Sequence, residues 1–189
     1  MARLDAELVS RGIARSRERA KEMIRSGNVT VNGKKASKPS DDVLPEDEIC
    51  SSEEELYVGR GALKLEKAID EFSIVLSGKK CLDIGASTGG FTEYMLKCGA
   101  DKVYSVDVGH GQLAESLRND ERVVNMEGND IRNVTSDQLG GYVDFVCADV
   151  SFISLKLILP KIYELLAENG EAALLIKPQF EAGHSDIGK

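Results

Sequence analysis

The chain has 189 residues, 42% of them hydrophobic and 30% charged, which excludes a disordered polymer and predicts one domain of ordinary size with a small module beside it. No apolar run approaches the roughly 18 residues of a spanning helix, and the N-terminus, charged from Arg3 onward, lacks the apolar centre of a secretory signal, so the reading is a cytoplasmic protein without a membrane partner. The net charge of −8 is unevenly spread: residues 1–38 hold ten Lys/Arg against four Asp/Glu, leaving 14 basic and 28 acidic residues in the rest, so any polyanion binding is assigned to the head.

In chain order, Leu4, Leu8 and Val9 fall at helical spacing before Gly12. Ser16 is an N-cap for a second helix whose apolar face is Ala20, Met23 and Ile24 and whose stop is Gly27; the other faces carry Arg15, Arg17, Arg19, Lys21 and Arg25. Val29-Thr30-Val31-Asn32-Gly33-Lys34-Lys35 is an alternating strand followed by Asn-Gly, a strong hairpin signal. The acidic, irregular stretch 45–58 marks the boundary, giving a module over 1–56 and a second domain over 57–189. Cys50, Cys81, Cys98 and Cys147 have no paired spacing, which predicts reduced thiols and no metal.

In the second domain Leu65, Ala68, Ile69 and Phe72 mark a helix. After Gly78 strands are expected over 80–84, 102–107, 123–127, 144–148 and 172–176, with helices near 90–98, 112–118 and 155–167. This alternation predicts an α/β fold with a mostly parallel, Rossmann-like sheet, preceded by a small α+β domain.

The turn after the first of these strands, Asp83-Ile84-Gly85-Ala86-Ser87-Thr88-Gly89-Gly90-Phe91, lets the backbone approach a ligand closely. Its spacing is Gly-x-x-x-Gly-Gly, not that of a dinucleotide fingerprint, and it lacks the Lys-Ser/Thr of a P-loop. Asp107 ends the second strand, where a carboxylate accepts both hydroxyls of a ribose; Asp130, after the third, is placed to accept from an adenine amino group. With the loop they point to S-adenosylmethionine; alone they read as solvated loop acids. His110 is assigned no role. Lys64 opens the helix before the sheet, Asp149 ends the fourth strand and Lys177 follows the fifth, where strand ends converge on a substrate hydroxyl. Methyl transfer to a ribose hydroxyl needs an in-line nucleophile and help with its proton, and requires no metal. The alternatives are that Lys177 merely snorkels and that Asp149 caps a helix through Ser151.

Residues 3 to about 50, with Arg-Leu-Asp, a Ser-Arg helix and Gly-x-Val-x-Val-Asn-Gly, resemble an RNA-binding domain first described in a small-subunit ribosomal protein. That likeness implies phosphate contacts from Arg15, Arg17, Arg19, Lys34 and Lys35. Lys64, Asp149 and Lys177 resemble three members of the Lys-Asp-Lys-Glu tetrad of FtsJ-type RNA 2′-O-methyltransferases. Nearly the whole chain resembles the TlyA family, through Ser10-Arg11-Gly12, Arg60-Gly61-Ala62-Leu63-Lys64-Leu65, Gly85-Ala86-Ser87-Thr88-Gly89-Gly90-Phe91-Thr92, Val106-Asp107-Val108-Gly109, Asp149-Val150-Ser151-Phe152-Ile153-Ser154-Leu155 and Lys177-Pro178-Gln179-Phe180-Glu181. The resemblance implies S-adenosylmethionine-dependent 2′-O-methylation of cytidine in ribosomal RNA or ribosomal subunits, with Lys177 as base or hydroxyl activator. It also implies two further strands and a tetrad glutamate beyond the fifth strand. Glu181 is too near Lys177 to be that residue, and the chain ends at Gly188-Lys189 in an expected loop, so the domain is expected to be C-terminally incomplete.

Three rivals remain at this level. A methyltransferase for another substrate has no reason to carry the basic module. A non-catalytic RNA-binding protein with a degenerate domain fits the absent glutamate. A cytolysin, suggested by the family's old label of hemolysin, finds no apolar span or strongly apolar, basic-faced amphipathic helix to support it.

Overall fold

The computed structural model describes residues 2–14, 16–52, 57–59 and 61–181, and the chain divides into two compact units, residues 1–56 and 57–189. In the first unit β1 (Ala2–Arg3) leads into α1 (Leu4–Ser10), followed by α2 (Arg17–Arg25), β2 (Val29–Val31), β3 (Lys34–Lys35), β4 (Asp42–Val43) and β5 (Ile49–Ser51). β1 pairs antiparallel with β4, and β2 lies between β3 and β5 in an antiparallel three-stranded sheet. Ser16 caps α2, its hydroxyl accepting from Arg19 N at 3.2 Å, which satisfies one of the free N–H groups at the helix start. The hairpin turn places Asn32 at φ 50° and Gly33 at φ 75°, the two positive values that match the twist of the flanking strands. Leu4, Leu8, Ala20, Met23, Ile24 and Val29 form the core of this unit.

The second unit runs α3 (Ala62–Phe72), β6 (Lys80–Ile84), α4 (Gly90–Lys97), β7 (Lys102–Asp107), α5 (Glu115–Arg118), β8 (Val123–Glu127), β9 (Val143–Ala148), α6 (Leu159–Leu165), β10 (Leu166–Leu174) and α7 (Pro178–Glu181), with 3-10 turns at Ile131–Asn133 and Leu155–Leu157. The strands form one parallel sheet in the order β10-β9-β6-β7-β8. The two-residue alternation of strands divides the core. Cys81, Val103, Phe145 and Cys147 face Leu65, Phe91 and Met95 on one side; Leu82, Ile84, Val106, Val146 and Ala148 face Ile158, Ile162 and Leu165 on the other. Among the described residues no helix is long and apolar enough to cross a membrane.

Three boundaries differ from expectation by more than one residue. The helix expected over 155–167 splits, because Pro160 has no N–H and is tolerated only in a first turn; a 3-10 turn precedes it and α6 starts at Leu159. The helix expected from 112 begins at Glu115, because Gln112 N and Leu113 N donate to the Glu127 carboxylate, at 2.6 Å and 3.0 Å. The last strand is displaced from 172–176 to Leu166–Leu174, with its register broken between Leu166 and Glu171. It lies at the sheet edge, and none of its residues is buried.

Candidate active site and RNA-binding surface

The strand-to-helix turn after β6 is shaped by its glycines. Gly85 has φ 82°, and a Cβ there would sit 2.9 Å from the Asp149 carbonyl oxygen; one on Gly90 would sit 2.9 Å from that of Gly59. Side chains are excluded at both, which lets β6, the β9 end and the segment before α3 close on one another. The loop borders a cleft of about 570 Å³ at the carboxyl ends of β6, β7 and β9, lined in part by Gly85, Ser87, Asp107, Gln112, Asp130 and Asp149. Open parallel sheets bind ligands at this end.

Asp107 organises one wall: its Oδ2 accepts from Ser87 N at 2.8 Å and its Oδ1 from Gly109 N at 2.7 Å. Asp130 pairs with Arg132, whose guanidinium and backbone N–H both donate to it, and these contacts, the side-chain bond foremost, hold its carboxyl below the usual range. Asp107 keeps a lone pair on each oxygen for a ligand donor, whereas both oxygens of Asp130 are engaged by Arg132. Two acids spanning the cleft, with a glycine backbone between them and the strand ends, suit a nucleoside-bearing cofactor.

The remaining expected cofactor residues sit differently. Asp83 is buried and does not line the cleft: Thr92 Oγ1 donates to its Oδ2 at 2.7 Å and lies 2.7 Å from Ser105 Oγ. Burial raises its carboxyl to about 6. Asp83 therefore ties together β6, α4 and β7, the elements that flank the loop. Ala86 and Phe91 are buried behind the loop, Thr88 accepts from Ala114 N through its carbonyl, and Gly89 packs under Leu113 and Leu117. They support the loop, and Gly85 and Ser87 are the loop residues at the cleft.

At the β9 end the three expected catalytic residues converge. Lys64 Nζ donates to Asp149 Oδ2 at 2.8 Å; Lys177 Nζ lies 2.6 Å from Asp149 Oδ1 and donates to Ser151 Oγ at 2.9 Å. Burial pushes the Asp149 carboxyl up, but the two ammonium groups outweigh it and hold it below the usual range. Lys177 is thus anchored and not snorkelling, and the cap of the following 3-10 turn is Ser154, not Asp149. Glu181 reaches back to that turn, accepting from Leu155 N at 2.8 Å and Ser154 Oγ at 2.6 Å. Phe152, 92% exposed with φ 63°, lies with its ring 5.3 Å from that of Phe180. Among the described residues no cluster of three or more His, Cys, Asp or Glu is arranged to hold a metal.

Sequence reasoning missed Gln112, Ser151 and Glu127. Glu127 had a visible signal, being an acid at a strand's carboxyl end like Asp107. Gln112, whose Oε1 accepts from Ser87 Oγ at 3.2 Å, and Ser151 had none.

In the first unit the basic residues separate into two kinds. Lys34 and Lys35 are exposed on the hairpin. Arg17, by contrast, donates to both oxygens of Asp5, a fully buried carboxylate that Arg3 also grips; Arg3, the larger influence, and Arg17 hold it down to about 2. The Arg17 Nη2 is a structural clasp, while the side chain as a whole is half exposed. Arg19 bonds Glu22 at 3.3 Å. Arg15 lies outside the described residues.

Comparison with known proteins identifies the family of each unit. Residues 57–189 match the model of the FtsJ-like methyltransferase family and residues 2–49 that of the S4 domain. The chain is 48% identical over 189 residues to the "16S/23S rRNA (cytidine-2'-O)-methyltransferase TlyA" of Mycobacterium tuberculosis, covering 99% of this chain and 70% of that one. It is 39% identical to the "23S rRNA (cytidine-2'-O)-methyltransferase TlyA" of Campylobacter jejuni, covering 93% and 74%. A solved structure from Streptococcus thermophilus, described as a hemolysin, superposes with a TM-score of 0.73 at 43% identity, covering 99% of this chain and 70% of that one. The chain belongs to the TlyA family, an S4 domain followed by an FtsJ-like methyltransferase domain.

Proposed function

We propose that the protein uses S-adenosylmethionine to methylate the ribose 2′-oxygen of cytidine in ribosomal RNA. The observation that carries this reading is the pair of lysines on one aspartate, Lys64 and Lys177 on Asp149, beside a cleft with acids at two strand ends. S-adenosylmethionine supplies a methyl group on a sulfonium centre. Asp107 accepts its ribose hydroxyls, Asp130 its adenine amino group, and Gly85 leaves room for close approach. The 2′-hydroxyl of the RNA enters at Lys177, whose Nζ, fixed by Asp149 and Ser151, orients the hydroxyl and, once it has released its own proton to solvent as a neutral amine, takes the hydroxyl proton. Lys64 partners the other Asp149 oxygen and holds that carboxylate in place. Lys34 and Lys35, with Arg15 and Arg19, engage RNA phosphates. The likeness to two relatives named as rRNA cytidine-2′-O-methyltransferases supports the choice of substrate.

The test is transfer of tritiated methyl from S-adenosylmethionine to unmodified ribosomal RNA and subunits. Label in ribose 2′-O positions, reduced at least about 100-fold in Lys177→Ala with cofactor affinity retained, is expected for loss of a proton-handling group. Cofactor binding without transfer to any RNA would make the protein a non-catalytic RNA binder.

A further inference from the structure

Two chain segments meet at the catalytic lysine. The loop after β9 carries Asp149, Ser151, Phe152 and Ser154; the segment after β10 carries Lys177, Phe180 and Glu181. They are joined at three places. Lys177 bonds Asp149 and Ser151 at one end; the Phe152 and Phe180 rings meet in the middle; Glu181 accepts from Ser154 Oγ and Leu155 N at the other. The third joint is charge-assisted, since a carboxylate accepts from two neutral donors. It also closes a relay, because Ser154 Oγ accepts from Lys156 N at 3.2 Å while donating to Glu181.

We infer that Glu181 is a positioning residue for the methyl-transfer reaction: by clasping Ser154 and Leu155 it holds the segment bearing Lys177 against the loop bearing Asp149. This rests on the reading of Lys177 as the proton-handling group. Glu181 follows Lys177 closely in the chain, and the helix between them, α7 (Pro178–Glu181), is a single turn. Both of the segment's ends are therefore tied to the same loop, and releasing Glu181 leaves Lys177 held by its own side-chain contacts and by the Phe152–Phe180 ring contact. Displacement of a reacting group by about 1 Å costs on the order of 100-fold in rate. Glu181 does not line the cofactor cleft, so its loss should leave cofactor binding intact. Its two carboxylate oxygens are directed at Ser154 and Leu155, not at Lys177 or Asp149. Its contribution is therefore geometric, in contrast to a fourth catalytic acid.

Glutamine separates the two roles. Its carbonyl oxygen accepts from Leu155 N and its amide N–H can donate to Ser154 Oγ, so Glu181→Gln keeps both joints while removing the charge and reversing the direction of the Ser154 bond. The experiment measures kcat, the KM for RNA and the cofactor Kd for the wild type, Glu181→Gln and Glu181→Ala, together with hydrogen exchange at the Leu155 amide. We expect Glu181→Gln within about threefold of the wild-type kcat and Glu181→Ala lower by about tenfold to 100-fold, with cofactor Kd unchanged. Leu155 exchange should accelerate in the alanine variant alone. Glutamine as damaging as alanine would overturn the inference by making the charge essential, and an unchanged kcat in alanine despite faster exchange would overturn it by making the clasp irrelevant to rate. Failure of the wild type to methylate any RNA would instead refute the functional reading on which the inference stands, while Leu155 exchange would still report whether the clasp holds the loop.

Discussion

At the scale of single residues, the pleat decides what a carboxylate does. Asp83 points into the face lined by Cys81 and Cys147, where Thr92 from α4 donates to it, the Cys147 thiol lies 3.7 Å away and Ser105 of β7 closes the network through Thr92. Asp107, the last residue of β7, instead meets backbone N–H groups at the cleft. Because burial raises the Asp83 carboxyl to about 6, against roughly 3.9 in an unfolded chain, the folded state binds more protons between those values. This group's contribution to stability therefore falls as pH rises through that window. Asp107 is the other charge acting on it, in the same direction. The expected outcome for Asp83→Asn is a melting temperature that gains on the wild type as pH increases from about 4 to about 6 and levels off above. Thermal denaturation across that range checks it, and a gap independent of pH would contradict the assignment. Asp83 is expected from the sequence among the cofactor-binding residues, but it is buried and does not line the cleft; the sequence does not say which side of the strand it occupies, since a strand residue one position away points the opposite way.

At the scale of elements, local rules were legible wherever the signal was covalent or short in range. Asn32-Gly33 makes a hairpin because both residues tolerate positive φ, and the Ser16 hydroxyl caps α2 as its position before the Arg-rich turn implied. The strand cores of β6, β7 and β8 coincide with the apolar runs. Errors occurred where a distant group competes for a backbone donor or where a strand lacks cover. The Glu127 carboxylate takes two N–H groups that would otherwise begin a helix, and Asn125 first, then those N–H groups, hold it down to about 2. Glu127 thus fixes the segment carrying Gln112 to the end of β8. Glu127→Ala should weaken S-adenosylmethionine binding by about tenfold and destabilise the domain by about 1–3 kcal/mol through unsatisfied donors, with little change in kcat at saturating cofactor. Calorimetric titration and denaturant unfolding test this; an unchanged cofactor Kd would remove Glu127 from the account of the site.

At the scale of the whole molecule, the division of charge governs the encounter with RNA. A methyltransferase domain with excess acid repels a polyanion, so affinity must come from the basic first domain. Arg17 is paired with Asp5 through Nη2, and Lys34 and Lys35 are exposed cations carried together on the hairpin. Replacing both with alanine should weaken RNA binding and reduce the steepness of its salt dependence by about one logarithmic unit for each phosphate no longer neutralised. Filter binding over a salt series distinguishes this from unfolding, which would abolish binding at every salt concentration. Arg17→Ala, in contrast, should act chiefly on stability, leaving Asp5 buried with one partner fewer.

The sequence by itself determined the alternation of strands and helices in the second unit, the uneven division of charge, and the Gly-rich turn after β6. These follow from periodicity, turn chemistry and motif spacing, which act over a few residues. Tertiary structure alone decided that Lys64 and Lys177 share one carboxylate, that Asp83 braces the loop from within, that Arg17 clasps Asp5 and that Glu181 ties two loops together. In each case the partners come from separate parts of the chain and meet only when the sheet and helices pack, so no local pattern encodes the pairing.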